Sequence, residues 1–468
     1  MNDAAGKLVI RFDRGTLVLE GMTRDAAAAT LAGGYWTWDA RAGVLRCDAL
    51  HYDDAVRALH DAVPSPAGAA APWPEVIWPR VQLPPLREDQ AAALDAWMRT
   101  RRGVVVMPTG TGKTEVALRI MHALSVPTLV VAPVRDLMYQ WHQRIADRLG
   151  YDAGIIGDNI FNKRPVSVTT YDSACIHMQE FGGEFALLVF DECHHLPGPV
   201  RADAARMSIA PWRLGLTATP ERSDGRETVL DELIGPVVHR YTLAAARGRV
   251  LAEYDVVRIP VYLAPGEQAQ YNECSFLIRH HMAERRKAAP GFTAIDLHKE
   301  SGASPESRKV IQALRIKQSI EDRAREKLRV LEDLFRLHHG TRTLVFTGTN
   351  VMAREVSVRF LVPCLLHHCR KKERKDILDG LRQGVYPAIV ANQVLDEGVD
   401  IPEAKVAVVL GGLASVKQAK QRLGRILRKT GAERAILYEV VCAETREAMR
   451  SRQRRRSDAY EGTRHIRL

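Results

Sequence analysis

Long apolar runs are missing from this sequence, and none approaches the roughly 18 residues that a membrane span needs. The first residues also lack the pattern of a secretory signal peptide. The seven cysteines are odd in number and include no CxxC pair, which disfavours a disulfide framework or a zinc finger. Together these absences predict a cytoplasmic protein with no membrane partner, associated with the nucleoid if the source is prokaryotic.

Acidic residues are too few to balance the basic ones, because 67 Lys and Arg face 56 Asp and Glu and leave a net charge of +11. Such an excess indicates a polyanionic partner, either nucleic acid or an acidic membrane surface. Residues 1–85 and 86–243 each carry a net charge of −2, whereas residues 244–468 carry +15. We therefore expect anion binding mostly in the second half of the chain.

The pattern of elements predicts several modules along the 468 residues. Residues 1–63 read as two hairpins and helices, and seven prolines between Pro64 and Pro85 predict a stiff extended linker over 64–85. Two later regions, 86–243 and 244–445, alternate short apolar runs with helical stretches, which is typical of parallel α/β sheets. A helical insertion is expected at about 265–330, and an arginine-rich tail at 446–468.

A glycine-rich segment follows the apolar run Val104–Met107 and precedes a helical stretch. In that context, backbone N–H groups can converge on phosphate oxygens at a helix N-terminus. Lys113 would reach the β- and γ-phosphates, and the Thr114 hydroxyl would ligate Mg²⁺. The segment predicts a nucleotide-binding loop made of Thr109, Gly110, Thr111, Gly112, Lys113 and Thr114.

Two adjacent acids, Asp191 and Glu192, end another buried strand. Burying charge is costly unless the groups have a function. Asp191 is expected to hold Mg²⁺ through its water shell, and Glu192 to orient and deprotonate an attacking water. Asp191 and Thr114 are therefore the predicted metal residues.

A phosphate loop followed by this acidic pair resembles the superfamily 2 nucleic-acid helicases of the DExH type. Residues 86–430 of the chain match the motif series of that superfamily in order. The matching segments are Leu86–Gln90 for the Q motif, Ala132–Arg135 with Gln140–Trp141 for Ia, Thr169–Tyr171 for Ib, Asp191–His194 for the DExH motif, Thr217–Pro220 for III, Leu344–Asn350 for IV, Val394–Asp400 for V and Gln421–Arg428 for VI. The resemblance implies an α/β fold of two tandem RecA-like parallel-sheet lobes with a helical thumb insertion and a small N-terminal α/β domain. ATP and Mg²⁺ would bind between the lobes.

The resemblance also implies roles for single residues. Arg425 and Arg428 share one helix face and would stabilise the transferring phosphoryl group together with Gln421. Nucleotide contacts would come from Arg87, Gln90 and Asp400. DNA contacts would come from Arg135, Thr170, Thr347, Gly398 and the thumb residues Arg285 and Arg286. Coupling between the two sites would fall to His194, Thr217, Thr219, Arg222 and Asp224.

Within the superfamily, the chain looks most like the group of 3′-to-5′ DNA repair helicases named for the xeroderma pigmentosum group B protein (XPB). The thumb, the N-terminal module (which resembles the group's damage-recognition domain) and the segment Gly215–Gly225 carry this likeness, although Ser223 stands where the group's Arg-Glu-Asp motif has Glu. The implied partners are DNA, as a single strand or a fork, and a nuclease or repair protein. RNA unwinding, duplex translocation without unwinding, and a non-catalytic scaffold remain as alternatives.

A zinc site is a competing interpretation of Cys364, His367, His368 and Cys369. Structural zinc ligands usually follow CxxC or HxxxH spacing, which this segment lacks. We therefore expect it to be a loop after a core strand.

Overall fold

The computed structural model describes residues 8–25, 34–62, 73–221, 225–250, 253–366, 368–392, 404–411, 434–454 and 465–467. It separates into two units, Met1–Thr242 and Leu243–Leu468.

The N-terminal part of the first unit is a four-stranded antiparallel sheet with the order β1-β2-β4-β3. Its strands are β1 Val9–Asp13, β2 Thr16–Glu20, β3 Thr37–Asp39 and β4 Val44–Asp48, and helix α1 Tyr52–Ala62 follows. Both hairpins expected from the sequence are present. The first turn needs glycine, because Gly15 has a φ of +87° and a Cβ there would lie 2.7 Å from Met207 Cγ. The turn therefore packs tightly against the rest of the first unit.

Residues 73–85, the described part of the predicted linker, run along the first unit and are bound to it. The Val76 N–H donates to Ser125 O over 2.8 Å, and the Gln82 N–H donates to Arg148 O over 2.7 Å. The Trp78 indole donates to Ser125 Oγ over 3.0 Å. These bonds make the segment a strap across the unit, where the sequence had suggested only a spacer.

A second, eight-stranded sheet forms the body of the first unit, with the order β12-β5-β11-β10-β6-β9-β7-β8. All pairs are parallel except β7 with β8. The strands are β5 Arg102–Val106, β6 Thr128–Ala132, β7 Gly154–Gly157, β8 Ile160–Asn162, β9 Val166–Thr170, β10 Leu187–Asp191, β11 Trp212–Thr217 and β12 Val237–Arg240. The helices are α2 Glu88–Thr100, α3 Lys113–Leu124, α4 Arg135–Leu149, α5 Tyr171–Phe181, α6 Asp203–Arg206 and α7 Val229–Leu233.

The second unit contains a seven-stranded parallel sheet with the order β15-β16-β14-β17-β18-β13-β19. Its strands are β13 Tyr254–Val261, β14 Thr343–Phe346, β15 Cys364–Leu365, β16 Ala388–Ala391, β17 Val406–Val409, β18 Ala435–Cys442 and β19 His465–Arg467. Its helices are α8 Leu243–Ala246, α9 Pro265–Ala288, α10 Ala294–Glu300, α11 Pro305–Arg323, α12 Arg325–Leu337, α13 Asn350–Phe360, α14 Lys371–Gln383 and α15 Arg446–Arg454. Both units therefore have the expected RecA-like architecture. Strands β7, β8, β12, β13, β15 and β19 were not predicted from the sequence. In β13 the apolar run is interrupted by Arg258 and Pro260.

The expected thumb is present as the three helices α9, α10 and α11. They bury a small apolar core of their own, made of Cys274, Ile278, Leu297, Val310, Ile311 and Ala313. Helix α9 begins with Pro265 at its first position, where the missing N–H costs nothing.

Helix α15, the first part of the predicted basic tail, is anchored in the second unit by a buried ion pair. Glu447 is 3% exposed, and its carboxylate accepts hydrogen bonds from Lys327 Nζ at 2.9 Å and from the Cys442 N–H at 2.8 Å. Lys327 is fully buried, and its Nζ also donates to Glu321 O over 2.6 Å. The first two turns of the tail thus belong to the core of this unit.

We predict that Lys327→Met destabilises the second unit by about 3–5 kcal/mol, because the Glu447 carboxylate would be left buried without its cation. Amide hydrogen exchange of β13 and β18 measures this as faster exchange. Arg329→Met is the matched control on the same helix: its side chain is 75% exposed, so a change within about 0.5 kcal/mol is expected. Equal protection from exchange in the two variants would show that the Lys327–Glu447 pair does not stabilise the second unit.

Candidate active site

The strand order brings three chain segments to one edge of the first unit's parallel sheet. Strand β11 lies between β5 and β10, so the residues after all three strands meet where their carboxyl ends point. The glycine-rich loop follows β5, the acidic pair ends β10, and Thr217 ends β11. Ligands of open α/β sheets bind at this edge.

The glycine-rich loop turns into α3 through two residues with left-handed backbone, Gly110 at φ +85° and Gly112 at φ +82°. Gly112 also has no room for a side chain, because a Cβ would lie 2.3 Å from Gln90 Nε2. The Thr109 hydroxyl is buried and has no hydrogen-bond partner among the described residues. A loop with left-handed glycines at a helix N-terminus and a spare hydroxyl fits an anion such as a phosphate chain.

Gln90 and Arg87, predicted nucleotide contacts, hold this loop from the N-terminus of α2. The Gln90 side-chain amide donates to Thr111 O over 3.1 Å, and Arg87 Nη2 donates to the same oxygen. Arg87 is itself held by Asp89 through two bonds of 3.1 and 3.0 Å. The Q-motif residues and the loop therefore form one hydrogen-bonded unit.

Lys113 lies in the first turn of α3 and is only 9% exposed. Its Nζ donates to Met107 O over 3.1 Å and lies 3.9 Å from Glu192 Oε1. A single carbonyl and one distant carboxylate leave a buried ammonium under-coordinated, so a phosphate oxygen would be a fitting additional partner. The Thr114 hydroxyl accepts a 2.8 Å bond from Arg144 Nη1.

Asp191 is held rigidly at the end of β10. One carboxylate oxygen accepts from the Trp141 indole over 2.9 Å, and the other accepts from the Glu192 N–H over 3.0 Å. Burial, and then the charge of Glu192, raise the pKa of Asp191 to about 6, while the Trp141 bond opposes that shift. A divalent cation at this carboxylate would favour its ionised form, which suits the predicted metal role.

Glu192 adopts a left-handed backbone conformation with φ +48°. This conformation is uncommon for a residue with a side chain and is found at functional sites. Its carboxylate lies between Lys113 on one side and His194, 3.4 Å away through Nδ1, on the other. Strained backbone therefore places the predicted base between the phosphate loop and the next motif.

A buried chain of hydrogen bonds continues from His194 to the end of β11. His194 Nδ1 lies 2.9 Å from Thr217 Oγ1. The Thr217 hydroxyl donates to Thr219 O and accepts from the Thr219 N–H, both over 3.1 Å. Three predicted coupling residues are thus connected to Glu192.

Other predicted residues lie outside the described part of the chain, so their roles remain predictions: Arg222, Asp224, Gly398, Asp400, Gln421, Arg425 and Arg428, together with the divergent Ser223.

The predicted DNA contacts outside the thumb differ in accessibility. The Arg135 side chain is 62% exposed and pairs with Asp158. The Thr170 hydroxyl caps α5 by accepting from the Ser173 N–H over 3.2 Å. Thr347 is fully buried, with its hydroxyl donating to Thr349 O over 3.1 Å. Of these three side chains, only Arg135 extends well into solvent.

The two predicted thumb arginines have different surroundings. Arg285 pairs with Glu300, and its guanidinium lies 5.1 Å from the Phe292 ring centroid. Arg286 is exposed, and its Nε donates to Phe292 O over 3.4 Å. The charge of Arg285 is therefore neutralised by Glu300 within the thumb. The exposed guanidinium of Arg286 can still bind an anion.

The described residues offer no support for the alternative zinc site. Cys369 Sγ accepts from the Leu366 N–H over 3.3 Å, and His368 Nε2 lies 3.3 Å from Arg354 Nη2. No cluster of three metal-binding side chains occurs in the described chain, which does not include His367.

No helix in the described ranges has the length and apolar character to cross a membrane.

No role was predicted for three side chains that hold the site together: Trp141 and Tyr171, which lie in the segments matched to motifs Ia and Ib, and Arg144. Trp141 and Arg144 bond Asp191 and Thr114 from α4, and the Tyr171 hydroxyl donates to Asp191 O over 3.0 Å. Each lies 20 to 50 positions from its partner. The available signal was the place of Trp141 in motif Ia, with Arg144 three positions further along the same helix.

Three family models match the chain. They are the type III restriction enzyme res subunit at residues 83–222, the helicase conserved C-terminal domain at 326–430, and the xeroderma pigmentosum group B helicase damage recognition domain at 10–63.

Curated relatives carry the same group name. The DNA 3′-5′ translocase XPB2 of Sulfurisphaera tokodaii is 38% identical over 373 residues, covering 79% of this chain and 84% of its own length. The DNA 3′-5′ helicase XPB of Kineococcus radiotolerans is 30% identical, covering 81% of this chain. The XPB2 subunit of general transcription and DNA repair factor IIH of Arabidopsis thaliana is 24% identical, covering 80% of this chain. The match spans 63% and 49% of these last two proteins.

Solved structures agree on the fold. The Pyrococcus furiosus Hef helicase domain matches with a TM-score of 0.52 and 16% identity, over 79% of this chain and 98% of that one. Saccharomyces cerevisiae Dbp5 bound to RNA and ADP BeF3 matches with a TM-score of 0.55 and 14% identity, over 81% and 89%. At these identities the likeness concerns the fold alone.

We predict that Trp141→Phe moves the pKa of Asp191 further up, because the indole bond stabilises the carboxylate. The carboxylate would then be lost at a higher pH as the solution is acidified. Binding of a non-hydrolysable ATP analogue with Mg²⁺, titrated between pH 5 and pH 8, should weaken at a higher pH than in the wild type. Trp78→Phe, which loses a bond to Ser125 in the strap, is the control and should leave the profile unmoved. Superimposable pH profiles for the wild type and both variants would contradict a role of the Trp141 bond in stabilising the Asp191 carboxylate.

Proposed function

The chain belongs to the XPB family of superfamily 2 helicases, and from that premise we propose that it is an ATP-dependent DNA translocase or helicase that moves 3′ to 5′ and acts in DNA repair. The relatives named for this activity, together with the matched helicase models, support the proposal. The observation that carries it is the connected path from the phosphate loop through Glu192 and His194 to Thr217.

ATP and Mg²⁺ are the proposed cofactors. The loop from Thr109 to Thr114 would hold the phosphates through its N–H groups, with Lys113 as the cation, and Arg87 and Gln90 would fix the loop. Thr114 and Asp191 would hold the metal ion, directly or through water. Bound Mg²⁺ would neutralise charge on the phosphates.

Glu192 is the proposed general base. Its carboxylate would orient a water and accept its proton, and Lys113 Nζ lies 3.9 Å from its Oε1. Asp191 would be kept in place by Trp141. The remaining proposed catalytic residues are Gln421, Arg425 and Arg428, with Asp400 as a nucleotide contact.

The buried path to Thr219 suggests how hydrolysis and DNA binding are coupled. A change in the position or charge of Glu192 alters the hydrogen bond of His194, and through it the bonds of Thr217 at the end of β11. His194 and Thr219 are each 2% exposed and Thr217 is fully buried, so water does not readily replace a lost bond between them. Arg222 and Asp224 would extend the coupling toward DNA.

DNA is proposed to follow the basic second half of the chain. Its net charge of +15 suits a polyanion, and 446–456 contains six arginines. Arg135 and Arg286, whose side chains are exposed, join the proposed interface with the predicted contacts Thr170 and Gly398. Contacts by Thr347, which is buried, and by Arg285, which pairs with Glu300, stay predictions. A DNA substrate would place the protein at the nucleoid if its source is prokaryotic.

We also infer a protein partner that acts in repair, such as a nuclease. The support is the name of the Arabidopsis relative, which describes it as a subunit of a general transcription and DNA repair factor.

We predict that Lys113→Ala and Glu192→Gln each lower DNA-stimulated ATP hydrolysis by at least about 100-fold, the typical contribution of a positioned base or a phosphate cation. Lys163→Ala and Glu184→Gln are matched controls, since they change a surface pair of the same unit at 34% and 50% exposure, and both should retain full activity. Undiminished turnover in Glu192→Gln would overturn the proposed base.

Polarity and substrate are tested by strand displacement on forks with a single 3′ or 5′ tail, made of DNA or RNA. We expect unwinding only with a 3′ DNA tail. Stimulation of ATP hydrolysis by duplex DNA without displacement would favour the translocase, and stimulation by RNA would favour an RNA helicase. No hydrolysis with any nucleic acid would favour a non-catalytic scaffold.

A further inference from the structure

A cavity of about 350 Å³ lies in the second unit, between the thumb and the start of α15. Its volume is at the lower end of the roughly 300–1,000 Å³ range of ligand pockets. The floor is apolar and includes Ile278, Met282, Leu297 and Leu314. An apolar floor of this size suits a flat ring system better than a hydrated ion.

Three arginines stand around that floor: Arg279 and Arg286 from α9, and Arg446 from α15. Arg279 and Arg286 are seven positions apart, so they lie on one helix face about 10.5 Å apart along the axis. Each bonds a backbone carbonyl through Nε, to Ser275 O and Phe292 O. In the described chain, none of the three guanidinium groups has a carboxylate within ion-pair distance.

Arg446 is fixed at the cavity by its backbone. Its N–H donates to Tyr271 Oη over 3.2 Å and to Glu321 Oε1 over 3.1 Å. The buried Lys317 adds charge close by, with Nζ 4.2 Å from the Tyr271 ring centroid. Burial, and then the charge of Arg446, lower the pKa of Lys317. The cations around the cavity therefore repel one another and favour an anionic ligand.

We propose that this cavity is a nucleotide subsite, which takes one unstacked base of bound single-stranded DNA onto its apolar floor while the adjacent phosphates lie on Arg279, Arg286 and Arg446. The inference rests on the proposed function for its substrate. It adds a specific base contact on the thumb to the general charge attraction.

An acidic peptide with apolar side chains has similar chemistry, but the charge distribution favours a nucleic acid. Helix α15 starts at the cavity with Arg446, whereas its next arginine, Arg450, is paired with the buried Glu321. A polymer of phosphates can contact Arg279, Arg286 and Arg446 with successive charges of one chain, whereas a peptide would need a separate carboxylate for each of them. The ligand is therefore expected to be a nucleic-acid strand.

The test compares oligothymidylate with an oligomer of equal length and charge that has no bases. Removing the bases should weaken binding to the wild-type protein, and loss of the contact in this cavity should account for about a tenfold decrease in affinity. That decrease corresponds to the stacking of one base. Ala283→Phe fills the cavity from α9 without changing charge, and should reduce the ratio of the two affinities about tenfold.

The matched control is Ala269→Phe, an exposed position on the same helix that does not line the cavity. It should keep the wild-type ratio. Base contacts elsewhere on the protein affect all three proteins equally, so only the difference between the variants reports on the cavity.

A second measurement needs no variant. Oligothymidylate that contains 4-thiothymidine should, on irradiation, form crosslinks to residues 278–297 of the wild-type protein. Equal affinity ratios in Ala283→Phe and Ala269→Phe, or crosslinks only outside the thumb, would overturn the proposal. An acidic peptide whose binding is lost in Ala283→Phe while the nucleic-acid ratio stays unchanged would overturn it as well.

The proposed function and this subsite can fail separately. If oligothymidylate does not stimulate ATP hydrolysis by the wild-type protein, the proposed function fails. If stimulation is normal but the affinity ratios do not differ, only the subsite fails.

Discussion

The position of β11 between β5 and β10 is the constraint on which the candidate site depends. Because all three strands are parallel, the residues that follow them come together at one edge. Thr217 pairs with Val106 at the end of β5, and Leu216 pairs with Asp191 at the end of β10. A buried residue at the end of the middle strand therefore borders both the phosphate loop and the acidic pair. A change in its hydrogen bonds can alter the positions of both.

Buried charge is used twice in this protein, with different consequences. In the first unit, Lys113 has only one distant carboxylate partner, and the charges of Asp191 and Glu192 repel each other. These three side chains can therefore bind ligands of compensating charge, a phosphate at Lys113 and a cation at the two acids. In the second unit, Lys327 and Glu447 satisfy one another and bind α15 to the core. An unsatisfied buried cluster indicates a binding site, whereas a satisfied one holds two elements in a fixed position.

Much of the fold was predictable because buried parallel strands have a simple pattern. The apolar runs behind β5, β6, β9, β10, β11, β14, β16, β17 and β18 were all recognised from the sequence. Strands with polar or proline interruptions, such as β13, were not, since pairing on both sides stabilises them more than their own composition does. The extended course of 73–85 was expected from its prolines, but its hydrogen bonds to Ser125 and Arg148 were not.

The sequence by itself determined which chemistry the chain carries, because a phosphate loop and an acidic pair are local patterns whose spacing follows from strand–turn–helix geometry. It also determined the charge asymmetry between the two halves. Only the tertiary structure decided which side chains serve each other. Trp141 holds Asp191 from 50 positions away, Glu447 neutralises Lys327 from 120 positions away, and Arg446 completes a cavity on the thumb. Such pairings depend on how helices pack on the sheets, and no local pattern encodes them.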